Sequence, residues 1–369
     1  MLYGLLVMIG VVFIVFLMYH FAPVDPARSA LGQRADEEAL QRIRKKFNLD
    51  EPFHTRFLLY LNDVSPLSVH KEDSESLIFL DPDKYVQTKK VQNGVMFDYE
   101  SAPTYTTLFS TGTLIWVVKK PYLGVSISYL PGEDVSKIIG EKLFPTFLLG
   151  TFAIILASII GIILGVLAAV NRNSFLDNFA VSLSIVGISL PSYVSSILLL
   201  VLFNAVLYEY TGWDLSGSLI TSDDFGNPYY DWNNLILPVI ALGVRPVAII
   251  TQLTRSSMLD VMGQDYVRTA KAKGLSFYTV LIKHTLRNAL NPVLTSITGW
   301  FAALLAGAYF VEHIFNYNGL GGTTLSALME FDYPIVMGSV LLTATIFVVV
   351  NIFVDIFYGV LDPRVKVAG

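Results

Sequence analysis

Thirty carboxylates, 25 lysines and arginines and five histidines are the chain's reactive side chains, and cysteine is absent. Few chemistries assemble from them. The histidines, at 20, 54, 70, 284 and 313, show no HExxH or other zinc spacing. Without cysteine there is no disulfide, thiolate metal site or thiol nucleophile. No Gly-Lys dipeptide occurs, which removes the phosphate-binding P-loop, and no Gly-x-Ser-x-Gly elbow occurs. The sequence therefore predicts no catalytic residue, no metal site and no cofactor. Energy for any uphill work must come from an ion gradient or from another subunit.

The polar residues do form one unusual stretch, Asp265–Asn291 (DYVRTAKAKGLSFYTVLIKHTLRNALN), set between two apolar segments. Arg255–Thr269 is expected to continue a helix out of the preceding segment, and Ala270, Lys271, Ala272 and Lys273 favour helix strongly. Gly274 then supplies a left-handed position that ends the helix, and Ser276 caps the next one. Phe277, Val280, Leu281 and His284 share a face of that second helix. Helix, sharp turn, helix has two readings: a docking surface for a cytoplasmic partner, or an amphipathic hairpin attracted to anionic lipid. Two further ionisable residues, Arg245 and Asp355, fall inside apolar segments, where such residues often line a substrate path. The alternatives are that Asp355 pairs locally near Asn351 and that Arg245 caps a re-entrant bend before Pro246.

The elements that position these residues are membrane spans. The chain is 53% hydrophobic and 15% charged, with a mean hydropathy of +0.57, where soluble domains carry about 25% charged residues. Six stretches reach the roughly 20 apolar residues a bilayer core requires: Leu2–Phe21, Leu143–Val170, Phe179–Leu207, Leu235–Leu253, Pro292–Val311 and Tyr333–Leu361. In lipid such runs must be helical, and their Gly and Pro residues are compatible with that. The expected fold is an all-α polytopic membrane protein of six transmembrane helices. The loops after spans two and four, with the tail after span six, hold nine basic residues, whereas 208–234 and 312–332 hold none against eight carboxylates. The positive-inside rule thus places 255–291 and both termini in the cytoplasm, and 23–142 outside. No Lys or Arg precedes span one, and a cleaved signal peptide is the alternative there. A net charge of −5 implies no nucleic-acid partner.

Residues 23–142 read as an extracytoplasmic segment. Asp36–Phe47 has helical spacing with Asp36 as its cap, and His54–Leu61 is a second short helix. Tyr85–Val91, Val95–Tyr99 and Tyr105–Val118 read as strands, the first two joined near Asn93-Gly94. A small α+β insertion at about 64–118 is expected between the first two spans. The remaining boundaries are a first helix over 1–22, a five-helix core over 143–361 carrying the loop 255–291, and a tail over 362–369.

The loop resembles the "EAA" loop of ABC-importer permeases. Gly274 falls on the fixed glycine and Ala270 on the second alanine, while Arg268 and Thr269 replace the Glu and first Ala. These replacements, with His284-Thr285-Leu286-Arg287 further on, are similar to the variant of the dipeptide/oligopeptide (and nickel) branch. Along the chain the same branch is matched by Pro23-Val24-Asp25-Pro26, Leu49-Asp50-Glu51-Pro52, Tyr122-Leu123-Gly124-Val125-Ser126, Leu253–Leu259, Val311-Glu312-His313-Ile314-Phe315, Asn318-Gly319-Leu320-Gly321, Asp332-Tyr333-Pro334 and Asp362-Pro363-Arg364. The region 64–118 has no counterpart in the usual pattern.

The resemblance implies a permease subunit of an ATP-driven importer in a bacterial inner membrane, forming half of the path for dipeptides or oligopeptides. Its implied partners are a second homologous permease, two cytoplasmic ABC ATPase subunits and an extracytoplasmic peptide-binding protein. Asp265, Tyr266, Ala270, Lys271, Lys273, Gly274 and Leu275 would couple to the ATPase, with Arg255 and Arg268 positioning the loop. Arg245 and Asp355 are pathway candidates. Nickel or another small solute is the alternative cargo. An ion-coupled secondary transporter, or a membrane-anchored binding or enzyme module working through 64–118, are readings from other classes.

Overall fold

The computed structural model describes residues 2–20, 36–46, 48–81, 84, 86–93, 96–103, 105–212, 215–223 and 225–361. The Pro23–Pro26 motif, Tyr85, Gly94, Val95 and the tail 362–369 lie outside these residues, as does the side chain of Asp355. The chain divides into two compact units, one of residues 5–139 with 327–340, the other of residues 1–4, 140–326 and 341–369.

In the first unit, helix α1 (Leu2–His20) is followed by α2 (Glu37–Lys46) and α3 (Phe53–Val64). Phe13 and Phe16, one helical turn apart on α1, meet Phe53 and Phe57 of α3 edge-on at 5.3–5.9 Å, the offset geometry that aromatic quadrupoles favour. Five strands follow: β1 (Leu67–Lys71), β2 (Val86–Asn93), β3 (Met96–Pro103), β4 (Tyr105–Thr111) and β5 (Leu114–Lys119). β2 and β3 form one antiparallel ladder, from Val86↔Pro103 to Asn93↔Met96. The other sheet has the order β1-β5-β4.

Two sequence expectations change here. Tyr105–Val118 is two strands, because Gly112 (φ +62°) reverses the chain between them. β1, which is not among the strands expected from the sequence, pairs with β5 throughout, from Leu67↔Val118 to Lys71↔Leu114. In β5, Ile115 and Val117 are buried, while Trp116 on the opposite face stacks on Phe109 at 5.7 Å. That is the period-two alternation of a sheet with one covered face.

The second unit is helical. Its elements are α4 (Val135–Val170), which starts in the first unit, α5 (Phe175–Ser189), α6 (Ser192–Leu200) running into a π-helical turn at Val201–Val206, and α7 (Tyr208–Thr211). A two-stranded ribbon, β6 (Ile220–Ser222) and β7 (Pro228–Tyr230), precedes α8 (Ile236–Met262) and α9 (Asp265–Ala272). Then come α10 (Phe277–Thr279), a π-helical turn at Val280–Leu286, α11 (Arg287–Gly307), α12 (Tyr309–Ile314), α13 (Leu320–Met329), whose end belongs to the first unit, and α14 (Tyr333–Leu361), whose start does. Among the described residues three helices are long and apolar enough to cross a membrane, α4, α8 with the turn before it, and α14; α5 with α6 makes a fourth if counted as one span.

The expected third span, Phe179–Leu207, is not one helix. It bends by 104° between Ser189 and Ser192. Leu190 adopts an extended conformation (φ −78°, ψ 121°) and Pro191 sits at the start of the next helix, because proline lacks an amide donor and forces its predecessor out of the helical region. Pro246, by contrast, lies inside α8, which runs unbroken from Ile236 to Met262. That overturns the re-entrant bend considered for Arg245.

α8 is the packing hub of this unit. Gly161 and Gly165 of α4 let Ile250, Thr251 and Thr254 approach closely, and Gly187 does the same for Ala248. A Cβ on Gly165 would lie 2.5 Å from the Thr254 Cβ and 2.7 Å from the Thr251 carbonyl. Where lipid is as apolar as the side chains, association rests on such close backbone contact rather than on the hydrophobic effect. Leu149, Ala153 and Ala157 of α4, Leu237 and Ile250 of α8 and Val293 of α11 belong to the main buried cluster.

Candidate functional site

The loop after α8 folds as the helix–turn–helix that its residues predict, with one change. α8 ends at Met262 and Gly263-Gln264 separates it from α9, so the helix from Arg255 does not reach Thr269 unbroken. Gly274 is left-handed (φ +77°). Its N–H donates to the Lys271 carbonyl at 3.0 Å, and the Leu275 N–H donates to Ala270 at 3.4 Å, the paired bonds of a Schellman motif. Ser276 caps the next helix by accepting the Thr279 N–H.

The hairpin has an inside and an outside. Val267, Ala270 and Val280 are buried together, with Val261 packed on them. Beneath them Met258, Ala169 and Ala289 join α8, α4 and α11, with Met262, Leu281 and Leu286 at the margin. Asp265, Tyr266, Arg268, Lys271, Lys273, Gly274 and Leu275 are all exposed. The Tyr266 hydroxyl accepts from Asn288 Nδ2 at 3.0 Å, tying the two limbs. Arg268 pairs loosely with Asp265 at 3.6 Å on the surface, a contact of at most about 1 kcal/mol. Ala270 thus acts through packing, whereas the other six residues named from the loop lie on the presented face with Arg268.

The shared face expected for Phe277, Val280, Leu281 and His284 is not formed. Val280 and Leu281 turn inward, while Phe277 and Tyr278 project at 58% and 73% exposure. From Val280 on, the helix widens into a π-helical turn, in which Thr285 Oγ1 donates five residues back to the Val280 carbonyl and the phase of the following residues shifts.

Arg255 does not join the presented face. Its guanidinium engages Asp177 of α5 in a two-pronged ion pair: Nε donates to Oδ1, and Nη2 donates to Oδ2 at 2.8 Å. Asp177 also accepts the Asn173 N–H at 2.8 Å. The hydrogen bond from Arg255 holds the Asp177 carboxyl below its ordinary range despite burial. Asp177 escaped the sequence reading because an isolated acid in a helix's first turn looks like a dipole complement.

Two more buried carboxylates were missed. Glu312, in the second unit, accepts the Thr146 hydroxyl at 2.7 Å and the Gly322 N–H at 2.8 Å. Thr146 in turn accepts the Leu320 N–H at 2.8 Å, and the Tyr317 phenol donates to the Pro145 carbonyl at 3.0 Å. Burial pushes Glu312 up to about 7. A Cβ on Gly319 would lie 2.5 Å from Glu312 Oε2, which explains the glycine-rich run at 319–322. In the first unit, Asp332 Oδ2 accepts from the Ser126 hydroxyl at 2.6 Å and from the N–H groups of Ile127, Ser128 and Tyr129 at 2.9 Å each. The available signal was their setting, single acids beside glycine- or proline-marked turns.

Of the pathway candidates, Arg245 is exposed, with its guanidinium 5.6 Å from the centroid of the Trp300 ring.

Residues 161–367 match the family described as "Binding-protein-dependent transport system inner membrane component", and residues 1–74 match the N-terminal model of such membrane components. The chain belongs to this family: it is a multi-pass inner-membrane permease component of an ABC importer. It is 41% identical over 239 residues to a dipeptide transport system permease protein of Bacillus subtilis, covering 64% of this chain and 72% of that one. A dipeptide transport system permease protein of Alkalihalophilus pseudofirmus is 31% identical over 98% of this chain and 96% of its own. Among solved structures, a methionine ABC transporter in inward-facing conformations aligns with 59% of this chain at 16% identity and a TM-score of 0.43.

Proposed function

We propose that this chain is a peptide-translocating permease that pairs with a second, homologous permease and seats its 265–287 hairpin on one of two cytoplasmic ABC ATPase subunits. An extracytoplasmic binding protein would deliver the peptide. The supporting observation is the hairpin itself, a Schellman-locked turn presenting charged and aromatic side chains on one face while its other face packs into α8, α4 and α11. A push on that face reaches α8 directly, and the Arg255–Asp177 pair carries it to α5. The relatives that are dipeptide permeases support peptides as the cargo.

In this reading six helices span the membrane, with both termini cytoplasmic and 23–142 outside. The insertion at about 64–118 belongs to this reading, and from residue 75 on it lies in the stretch that the two family matches leave uncovered, 75–160. Asp265, Tyr266, Lys271, Lys273, Gly274 and Leu275 contact the ATPase, Ala270 holds the limbs together, and Arg255 and Arg268 position them. Arg245 and Asp355 belong to the peptide path.

Gly274→Pro tests the assignment. Proline requires φ near −65°, against +77° here, and it removes the N–H that closes the turn. Peptide uptake and peptide-stimulated ATPase activity of the assembled transporter are expected to be lost while the protein still inserts. Wild-type stimulation in that variant would sink the assignment.

A further inference from the structure

The first unit contains a cavity of about 590 Å³, within the 300–1,000 Å³ range of small-molecule sites. α1, α3, the 79–84 segment, the 122–127 loop and the start of α14 line it. Four charges stand on its wall: Arg56, Asp63, Asp81 and Lys84. Lys84 Nζ lies 2.9 and 2.8 Å from the two Asp63 oxygens and 4.8 Å from the centroid of the Tyr122 ring, so those two charges neutralise each other. Arg56 is different. It is half-buried, its guanidinium lies 5.7 Å from the Phe16 ring centroid, and its Nη1 lies 3.5 Å from His20 Nδ1. None of the ion pairs among the described residues uses it.

Beside it, the buried Tyr60 hydroxyl has no hydrogen-bond partner among the described residues. Such a group costs about 1–3 kcal/mol until a partner arrives. Burial, with the Asp63 charge second, raises the phenol above its ordinary value and keeps it a donor. The rest of the wall is largely aromatic or aliphatic, Phe16, Leu59, Phe79, Tyr122 and Tyr333 among it. The floor is held still: Ile127 is both a lining residue and one of the N–H donors clamped by Asp332.

We propose that this cavity is a second peptide site, in which Arg56 takes the C-terminal carboxylate of a short peptide, Tyr60 donates to a peptide carbonyl, and the aromatic wall takes an apolar side chain. A guanidinium that no ion pair among the described residues uses, set on an apolar wall, is built for a carboxylate approaching with an apolar body. From the preceding reading this takes only the substrate class, peptides. An anionic phospholipid headgroup would also satisfy Arg56, but the wall carries two carboxylates of its own, Asp63 and Asp81.

The test uses the full-length chain purified in detergent, with alanyl-phenylalanine titrated calorimetrically. Wild-type chain is expected to bind it, and Arg56→Gln to weaken binding at least tenfold. The C-terminal amide of the same dipeptide should lose as much on wild-type chain, and Tyr60→Phe should lose several-fold. The amide keeps the test alive if Arg56→Gln fails to fold. Equal binding by wild type and Arg56→Gln, equal binding of acid and amide, or no binding by wild-type chain overturns the proposal. So does an Arg56 effect seen only with phosphatidylglycerol micelles. Gly274→Pro should bind the dipeptide normally. Loss of coupling there beside no dipeptide binding by wild type would leave the permease assignment standing and remove this site alone.

Discussion

Replacing Arg255 by Met removes both prongs of the bond to Asp177 and strands a carboxylate whose side chain is 2% exposed. Breaking a buried ion pair from one side costs about 3–5 kcal/mol, most of it the penalty on the charge left behind. Arg255 itself is 25% exposed, and the Asn173 N–H still faces the carboxylate at 2.8 Å. The lower end, about 3 kcal/mol, is therefore expected, which for a domain of this size is a fall of roughly 6–12 °C in the unfolding midpoint. Asp177→Asn should cost less, since the guanidinium can reach water, and the double variant should recover part of the loss. A double-mutant cycle by thermal unfolding in one detergent reads the coupling. The pH dependence has a definite sign. The folded-state carboxyl is depressed, so its contribution is complete above the unfolded value of about 3.9 and vanishes as pH falls through the folded value. The carboxylate stranded in Arg255→Met titrates above the unfolded value, so the wild-type margin should shrink as pH falls toward about 4 and vanish below it. Additive single effects, or an Arg255→Met midpoint equal to that of wild type at neutral pH, would refute the reasoning.

Gly165→Leu should destabilise by more than about 1–3 kcal/mol, the usual cost of overpacking, because even its Cβ would sit 2.5 Å from Thr254; Gly140→Ala, with nothing within 4 Å, is the neutral control, and equal melting of both variants would argue against the glycine contact. Glu312→Gln should flatten a pH dependence. With the folded value raised to about 7, the group's stabilisation is full below the unfolded value of about 4.3 and declines as pH rises through 7. Parallel midpoint-versus-pH curves for wild type and the Gln variant would contradict this.

The turn chemistry of the hairpin was legible because Gly274 and Ser276 each have one strong local role. Its phase was not. The π-helical turn at 280–286 breaks the 3.6-residue spacing on which the face of Phe277 and Leu281 was drawn. Apolar length marked Phe179–Leu207 as one span and gave no sign of its bend, since membrane helices often carry proline without breaking and Pro246 does so here. Strand β1 was hidden because its five residues pair with a strand more than 40 positions away, and non-local pairing leaves no local signature. Asp177, Glu312 and Asp332 were invisible as anchors for a related reason. The partners of Glu312 and Asp332 lie up to 206 residues off, and only folding shows that these acids are buried.

The bend at Pro191 bears on how the chain enters the bilayer. At 1.5 Å per residue, the 15 residues of Phe175–Ser189 reach about 22 Å, and the like-sized limb Ser192–Val206 reaches no further. Neither crosses about 30 Å of hydrocarbon unaided. A segment of that kind is a poor autonomous stop for the insertion machinery, and Gly187 on its first limb packs closely on Ala248 of α8. Biogenesis would then run out of order along the chain, with α8 delivered to the membrane before the segment that precedes it settles into place.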